Sequence, residues 1–266
     1  MKLQVDGRAV YAYTANHELD ASKRTVAFIH GAGLEHSSFA LQSRYFGYHG
    51  WNVLALDLPG HGRSEGAPLA TAPAMADWLA RVLDAAHVAK AALIGHSLGT
   101  LIALDCAARH PARVERIALI ATAYPMKVSE TFLDAAKRNE YTAFDMHTIW
   151  GHAPRVPLGG NPNPGMWMYG DVQARLERLA PGVLYTDLKA SNDYRFAGSV
   201  KCPALFILGK RDMMTPPRAA RTLQEQIPGA HTVLIDISGH ALMGEAPDAV
   251  LDALIQVLGR NSDPGS

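Results

Sequence analysis

The stretch LIGHSLG, residues 93–99, places a serine between two glycines, directly after one apolar run and before another. Residues 91–94 read as a short buried strand, and residues 98–109 carry apolar side chains at helical spacing. Strand, tight turn and helix therefore occur in the order that an exposed nucleophilic serine needs, and the two glycines let the backbone turn sharply. The pattern predicts Ser97 as a nucleophile. The alternative is a glycine-flanked turn without chemistry.

Length and composition narrow the class of protein. The chain has 266 residues, of which 48% are hydrophobic and 19% charged, enough for one large domain with a sizeable core. Its 25 Lys and Arg balance its 25 Asp and Glu, so we expect no nucleic-acid or membrane partner. The N-terminus lacks an apolar signal core, and no run approaches the ~18 apolar residues of a membrane span. We therefore expect a cytoplasmic protein with a small-molecule partner, and composition leaves the oligomeric state open.

Metal and redox chemistry have no sequence support. The chain holds two cysteines, which make neither a disulfide framework nor a metal cluster, and we expect both to be buried, reduced thiols. No set of His, Cys and Asp residues has a convincing metal spacing. We predict a protein without a metal and without a cofactor.

Apolar runs and helical patterns alternate along most of the chain. Two runs flank Asp6-Gly7, a hairpin signal that predicts an antiparallel pair at the N-terminal edge. Further strands are predicted at residues 25–29, 52–56, 91–94, 116–120, 204–208 and 232–237. Helical patterns lie at residues 39–49, 74–86, 98–109, 217–226 and 247–258. Because helices separate the strands, we predict a three-layer α/β architecture whose mainly parallel sheet is covered on both faces.

One interval breaks this alternation. About 80 residues separate the strand ending near Ile120 from the strand starting near Ala204, which is too many for a simple crossover. We predict a core at 1–123 and 200–260, a helical cap inserted at 124–199, and a flexible tail at 261–266. The insertion is rich in Met and aromatic residues, which favours an apolar pocket, although any one of them is more commonly part of the cap's own core. The candidate substrate contacts among them are Trp150, Trp167 and Tyr169.

Partners for Ser97 are expected at the carboxyl ends of the strands, where open α/β sheets hold their sites. HGAG follows one strand at residues 30–33, GKRD follows another at 209–212, and SGH follows a third at 238–240. The chain order of nucleophile, acid and histidine matches Ser97, Asp212 and His240. Taken singly, Asp212 reads equally as a turn residue and His240 as a loop histidine. Residues 121–124 offer no competing acid.

Five motifs together make a resemblance plain: HGAG (30–33), DLPGHGRS (57–64), GHSLG (95–99), GKRDMMTP (209–216) and SGHALMGEAP (238–247). The chain resembles the α/β-hydrolase fold family, in particular its small cap-bearing serine esterases, lactonases and haloperoxidase-like members. The resemblance implies that Ala32 and Leu98 donate backbone N–H groups to an oxyanion, where a backbone donor adds no ionisable group. Leu98 also opens a helix, whose N-terminal dipole favours negative charge. Candidate substrate contacts in the motifs are Gly31, His96 and Met213.

Proton accounting assigns the remaining roles. A serine hydroxyl is a weak nucleophile at neutral pH, so His240 must take its proton and later return it to the leaving group. Asp212 must hold His240 in the right tautomer. His30 and His61 are interpreted as loop-shaping residues bonded to backbone. His96 is interpreted as a neighbour that supports the site without an acid–base role.

A serine at the turn excludes relatives that use a carboxylate there, the haloalkane dehalogenases and epoxide hydrolases of this fold. We expect acyl transfer to water, with a small, largely apolar ester or lactone as substrate. A carbon–carbon bond hydrolase of ring-cleavage products stays open, with a carboxylate-binding cation among Arg155, Arg175, Arg178 and Arg195. A receptor-like protein with slow or no turnover also stays open, as does a perhydrolase or haloperoxidase-like side activity.

Overall fold

The computed structural model describes residues 1–158 and 167–259. Within these residues eight strands form one sheet in the order β1-β2-β4-β3-β5-β6-β7-β8. The strands are β1 (Lys2–Val5), β2 (Arg8–Tyr13), β3 (Thr25–Ile29), β4 (Asn52–Leu56), β5 (Ala91–His96), β6 (Val114–Ile120), β7 (Ala204–Gly209) and β8 (His231–Ile235). β1 pairs with β2 and β2 with β4 in antiparallel fashion, and all other neighbours are parallel. The predicted edge hairpin and mainly parallel sheet are confirmed.

Both faces of the sheet are buried, which explains why the parallel strands read as continuous apolar runs. In β3, Val26 and Phe28 belong to one core cluster, and Ala27 and Ile29 to the cluster on the opposite face. All five residues of this strand are buried. Successive side chains of a strand point to opposite faces, so one apolar run supplies both cores.

Ten α-helices lie in the described residues. They are α1 (Ala40–Tyr48), α2 (Ala72–Ala85), α3 (Leu98–Arg109), α4 (Glu130–Lys137), α5 (Tyr141–Trp150), α6 (Met168–Leu176), α7 (Val183–Asp193), α8 (Arg221–Gln226), α9 (Leu242–Glu245) and α10 (Pro247–Leu258). Residues of α2, α3 and α8 join one core cluster and residues of α1 and α10 the other, so helices cover both faces of the sheet. The start of α2 is fixed locally, because the Thr71 hydroxyl accepts the N–H of Ala74 at 3.2 Å.

Element bounds differ slightly from the predicted ones. The pattern at 217–226 divides into a 3₁₀ turn at Pro217–Ala220 and the short α8. β8 ends at Ile235 rather than at residue 237, and residues 238–240 follow as a loop. None of the described helices is long and apolar enough to cross a membrane. The cytoplasmic location stays a prediction.

The segment between β6 and β7 holds helices α4 to α7. In it, α7 packs against α3, and α4 packs against both α5 and α7. Its assignment as a separate cap domain at 124–199 stays a prediction. Residues 159–166 of the predicted insertion and the predicted tail at 261–266 lie outside the described residues, as does residue 260 at the predicted end of the core.

The register aligns the carboxyl ends of the parallel strands. Ile29 of β3 pairs with Gly95 of β5, and Gly95 in turn pairs with Leu119 of β6. On the other side, Gly209 of β7 pairs with Ile235 of β8. The loops that follow these strands therefore emerge at the same edge of the sheet, where the site is built.

Candidate active site

Ser97 occupies the sharp turn between β5 and α3 in a strained backbone conformation, with φ 50° and ψ −117°. A non-glycine residue with positive φ costs free energy and persists where the surrounding structure imposes it. The glycines two residues away are sterically required. A Cβ at Gly95 would lie 2.2 Å from the carbonyl oxygen of Gly99, and one at Gly99 would lie 2.1 Å from that of Ile29. The G-x-S-x-G spacing thus follows from close backbone packing around the serine.

Asp212 and His240 meet across the ends of β7 and β8. Nδ1 of His240 lies 2.8 Å from Oδ2 of Asp212, and both side chains are buried. Burial alone raises the pKa of Asp212, but the His240 charge and hydrogen bonds from His240 and Thr215 outweigh it and hold that pKa below its usual range. The carboxylate is therefore ionised and accepts the Nδ1 proton. This pairing leaves Nε2 of His240 as the nitrogen able to exchange a proton.

Two residues that the sequence reasoning did not single out support this pair. The Thr215 hydroxyl donates to Oδ2 of Asp212 at 2.7 Å and lies 3.1 Å from Nδ1 of His240. Glu245 is buried and accepts the N–H of Gly239 at 3.0 Å, which fixes the loop before His240. Thr215 lies in the turn that Asp212 forms, where Oδ1 of Asp212 accepts the N–H groups of Met214 and Thr215, and aspartate commonly bonds the backbone of such a turn. Glu245 carried no local signal.

A cavity of about 330 Å³ lies over Ser97 and His240. Among the predicted site residues, its lining includes Ala32, His96, Ser97, Trp150, Met213 and His240. The apolar side chains that line it further are Leu34, Met126, Val128, Phe132, Leu188 and Met214. The cavity therefore offers a largely apolar surface beside the Ser97 hydroxyl and the His240 imidazole.

Four other predicted site residues do not line this cavity. Gly31 approaches the turn closely, since a Cβ there would come within 2.8 Å of Nδ1 of His96. Leu98 is fully buried as the first residue of α3. Trp167, 75% exposed, lines a neighbouring cavity of about 400 Å³ that shares Leu34 and His96 with the first. Tyr169 packs its ring against His152, with centroids 4.9 Å apart, and lines neither cavity.

The histidines near the site differ in role. His30 donates from Nδ1 to the carbonyl of Gly31 at 2.8 Å and accepts the N–H of Leu58 at 3.1 Å, as expected of a loop-shaping residue. His96 donates from Nε2 to the carbonyl of His240 at 2.9 Å. Burial and the His240 charge lower the pKa of His96 to about 3, so His96 stays neutral and unsuited to accept a proton. His61 departs from the expectation of backbone bonding alone, because it also forms a buried ion pair with a carboxylate of α7.

The cations considered for a substrate carboxylate do not converge on Ser97. None of Arg155, Arg175, Arg178 and Arg195 lines the cavity over the serine. Arg175 pairs with Asp171 and donates to Ser38 at 3.3 Å beside the neighbouring cavity. In the described part of the chain, no group of three or more His, Cys, Asp or Glu side chains could hold a metal ion.

Comparison with known proteins gives a consistent result. The model of the Alpha/beta hydrolase family matches residues 26–253. The chain is 31% identical over 233 residues to a pimeloyl-[acyl-carrier protein] methyl ester esterase of Chromobacterium violaceum, covering 81% of this chain and 87% of the relative. It is 22% identical to an (E)-2-((N-methylformamido)methylene)succinate hydrolase of Acinetobacter baylyi, over 91% and 92% of the two chains. The enol-lactonase structure from Burkholderia xenovorans superposes with a TM-score of 0.80 at 22% identity, over 97% and 99%.

Proposed function

The chain belongs to the alpha/beta hydrolase family, and from this premise we propose that it is a serine hydrolase of a carboxylic ester or lactone. Ser97 is the nucleophile, His240 the general base and acid, and Asp212 the group that orients and stabilises the imidazolium. The observation that carries the proposal is the cavity shared by Ser97 and His240, with His240 paired to a buried, ionised Asp212.

The reaction divides into two acyl transfers. Oγ of Ser97 attacks the substrate carbonyl while Nε2 of His240 takes the hydroxyl proton, and the carbonyl electrons move to oxygen. The N–H groups of Ala32 and Leu98 bind this oxyanion. Its collapse breaks the ester bond, and the alcohol leaves with the proton from His240. Water then attacks the acyl-enzyme by the same steps, which regenerates Ser97 and releases the acid.

The cavity lining suits a small, largely apolar acyl or alcohol group. Methionine and aromatic side chains give apolar contact that adapts to different shapes. Lys127 is the one Lys or Arg among the described residues that line the cavity, and none of the four arginines considered for a substrate carboxylate lies there. An ester or lactone is the substrate class that this lining favours.

Steady-state hydrolysis of p-nitrophenyl octanoate tests the proposal. An enzyme releases many equivalents of p-nitrophenol per protein, whereas a receptor-like protein gives one burst and then stops. A panel of methyl esters, lactones and dienone acids measured in the same way separates ester from carbon–carbon cleavage. Turnover of the dienone acids alone would contradict the ester assignment.

A further inference from the structure

One peptide unit beside Ser97 is held at both of its polar ends by side chains from the segment between β6 and β7. The carbonyl of Ala32 accepts a hydrogen bond from Nε2 of His147 at 3.0 Å. The N–H of Gly33, which belongs to the same peptide unit, donates to Oδ2 of Asp187 at 2.9 Å. His147 lies on α5 and Asp187 on α7; both side chains are buried, and His147 also lines the cavity over Ser97.

The protonation states suit these two bonds. Burial lowers the pKa of His147 to about 4, so its ring is neutral near pH 7, and its proton lies on Nε2 because that nitrogen faces a carbonyl. Asp187 receives a second hydrogen bond on the same oxygen, from Nε2 of His61 at 2.8 Å. Nδ1 of His61 faces the carbonyl of Pro59 at 3.1 Å. Since both partners of His61 accept, its ring carries two protons and its positive charge balances Asp187.

Packing against neighbouring side chains also restricts the backbone conformation of this loop. Gly33 has φ +67°, in the left-handed region, and a Cβ there would lie 2.8 Å from Leu176 and 3.0 Å from Leu184. Both leucines come from the segment between β6 and β7, Leu176 from α6 and Leu184 from α7. The conformation of a glycine loop is otherwise soft. Here it is set by neighbours that are more than a hundred residues away in sequence.

We infer that His147 and Asp187 are positioning residues that aim the N–H of Ala32 at the oxyanion, so that seating of α5 and α7 on the core completes the active site. A peptide unit is planar, so fixing its carbonyl and its N–H fixes the orientation of the whole plane. The N–H of Ala32 belongs to the preceding peptide unit, whose carbonyl, that of Gly31, accepts from Nδ1 of His30 at 2.8 Å. With that unit held at its carbonyl, fixing the plane on the other side of the Ala32 Cα limits the rotation about both backbone bonds of Ala32 and so holds the direction of its N–H. The inference rests on the proposed function, in which the Ala32 N–H binds the oxyanion.

The consequence is kinetic. A donor that is misaimed by a fraction of an ångström still allows substrate to bind but stabilises the oxyanion less, so kcat falls while KM changes little. Loss of an entire oxyanion donor costs on the order of 10²- to 10³-fold in kcat. Loosening the peptide that aims it is expected to cost about 10- to 100-fold, because misplacement by about 1 Å has effects of that size.

The test uses His147→Phe and His147→Gln in the full chain, with p-nitrophenyl octanoate as substrate. Phe fills the space without a donor, whereas the Gln amide N–H replaces that of Nε2. We expect kcat of His147→Phe to fall about 10- to 100-fold with KM within about threefold, and His147→Gln to recover to within about threefold of the parent. The rate of labelling by a fluorophosphonate is expected to fall in parallel in His147→Phe.

Tyr194→Phe is the matched control. It removes a buried hydrogen bond at 3.1 Å from Tyr194 to Asp105, between the same segment and the core but away from Ser97. An equal fall in kcat in Tyr194→Phe, a rise in KM alone, or no rescue by His147→Gln would overturn the inference. If His147→Phe does not fold, Asp187→Asn serves instead, with an expected fall of about 3- to 10-fold in kcat; an unchanged kcat there would overturn the inference. Absence of turnover in the parent chain would instead refute the proposed function.

Discussion

The site draws on two regions that obey different rules. Ser97, Asp212 and His240 come from the sheet, each in a loop that directly follows a parallel strand. The residues that enclose the cavity from the other side come from the segment between β6 and β7, among them Phe132, Trp150 and Leu188. In the first region strand register sets the positions of the side chains. In the second they are set by helix packing over long sequence distances, so we expect the two regions to control chemistry and selectivity separately.

The largest expected effect is the loss of the chemical step, with substrate binding retained. Ser97→Ala is expected to lower kcat for p-nitrophenyl octanoate by at least about 10⁴-fold, since loss of the nucleophile of a triad removes nearly all of its rate acceleration. Fluorophosphonate labelling is expected to disappear. Alanine is no larger than serine and fits the same turn, so the variant is expected to fold. An unchanged melting temperature is the control. Retained labelling would show a different nucleophile.

Asp212→Asn tests the same region one step further from the substrate. An amide at this position can donate to Nδ1 of His240 and so favours the wrong tautomer. We therefore expect a large fall in kcat, since the same change lowered kcat about 10⁴-fold in the trypsin-like triad. The buried partners of Asp212 keep its carboxylate ionised in the parent. Thr215→Val, which removes the hydroxyl bond to Asp212 and the contact of that hydroxyl with Nδ1 of His240, is expected to lower kcat about tenfold. Equal activity of Asp212→Asn and the parent would mean that another acid serves His240.

The sheet region could be predicted from the sequence to a large extent, because local patterns determine it. The hairpin at Asp6-Gly7, the parallel strands and the helix after Ser97 depend on local patterns of turn residues and apolar spacing, and the structure has them within a few residues. The pairing of Asp212 with His240 was predictable because strand ends converge at one edge of a parallel sheet.

The segment between β6 and β7 allowed no such inference. Its Met and aromatic content was visible, yet the period of a helix indicates a face without indicating what that face contacts. Trp150 and Tyr169 therefore looked alike in sequence, although only Trp150 lines the cavity over Ser97. The bonds of His147 and Asp187 to one peptide unit span 115 and 154 residues and left no local trace.

The ion pair between His61 and Asp187 joins the two regions and makes their association depend on pH. Burial lowers the pKa of His61, but the charge and hydrogen bond of Asp187 outweigh it and raise that pKa above its usual value near 6.5. The stabilisation is therefore fully present below about pH 6.5 and is lost as pH rises through the raised pKa of the folded state. We expect the free energy of unfolding, measured in urea, to contain a component that falls as the pH rises above about 6.5.

His61→Gln isolates that component. It is expected to cost about 3 to 5 kcal/mol near pH 7, since it leaves a buried carboxylate without its countercharge, and the gap to the parent is expected to narrow at alkaline pH. His231→Gln is the control, because His231 is exposed on β8 and its loss is expected to stay within about 0.5 kcal/mol. A gap for His61→Gln that is constant with pH would contradict the titration.

The last expected effect is on selectivity and tests its separation from chemistry. Trp150 lines the cavity and packs edge-on against Phe132, with ring centroids 5.8 Å apart, whereas Tyr169 lies outside that cavity beside His152. Trp150→Ala is expected to change the ratio of kcat/KM for octanoyl over acetyl esters by about 10- to 200-fold, which corresponds to about 1 to 3 kcal/mol of lost apolar contact. Tyr169→Ala and Trp167→Ala are expected to leave that ratio within about threefold of the parent, because neither residue touches the cavity over Ser97. A uniform ratio in all three folded variants would show that the aromatic residues of this segment serve its own packing, and that selectivity is set by the sheet region instead.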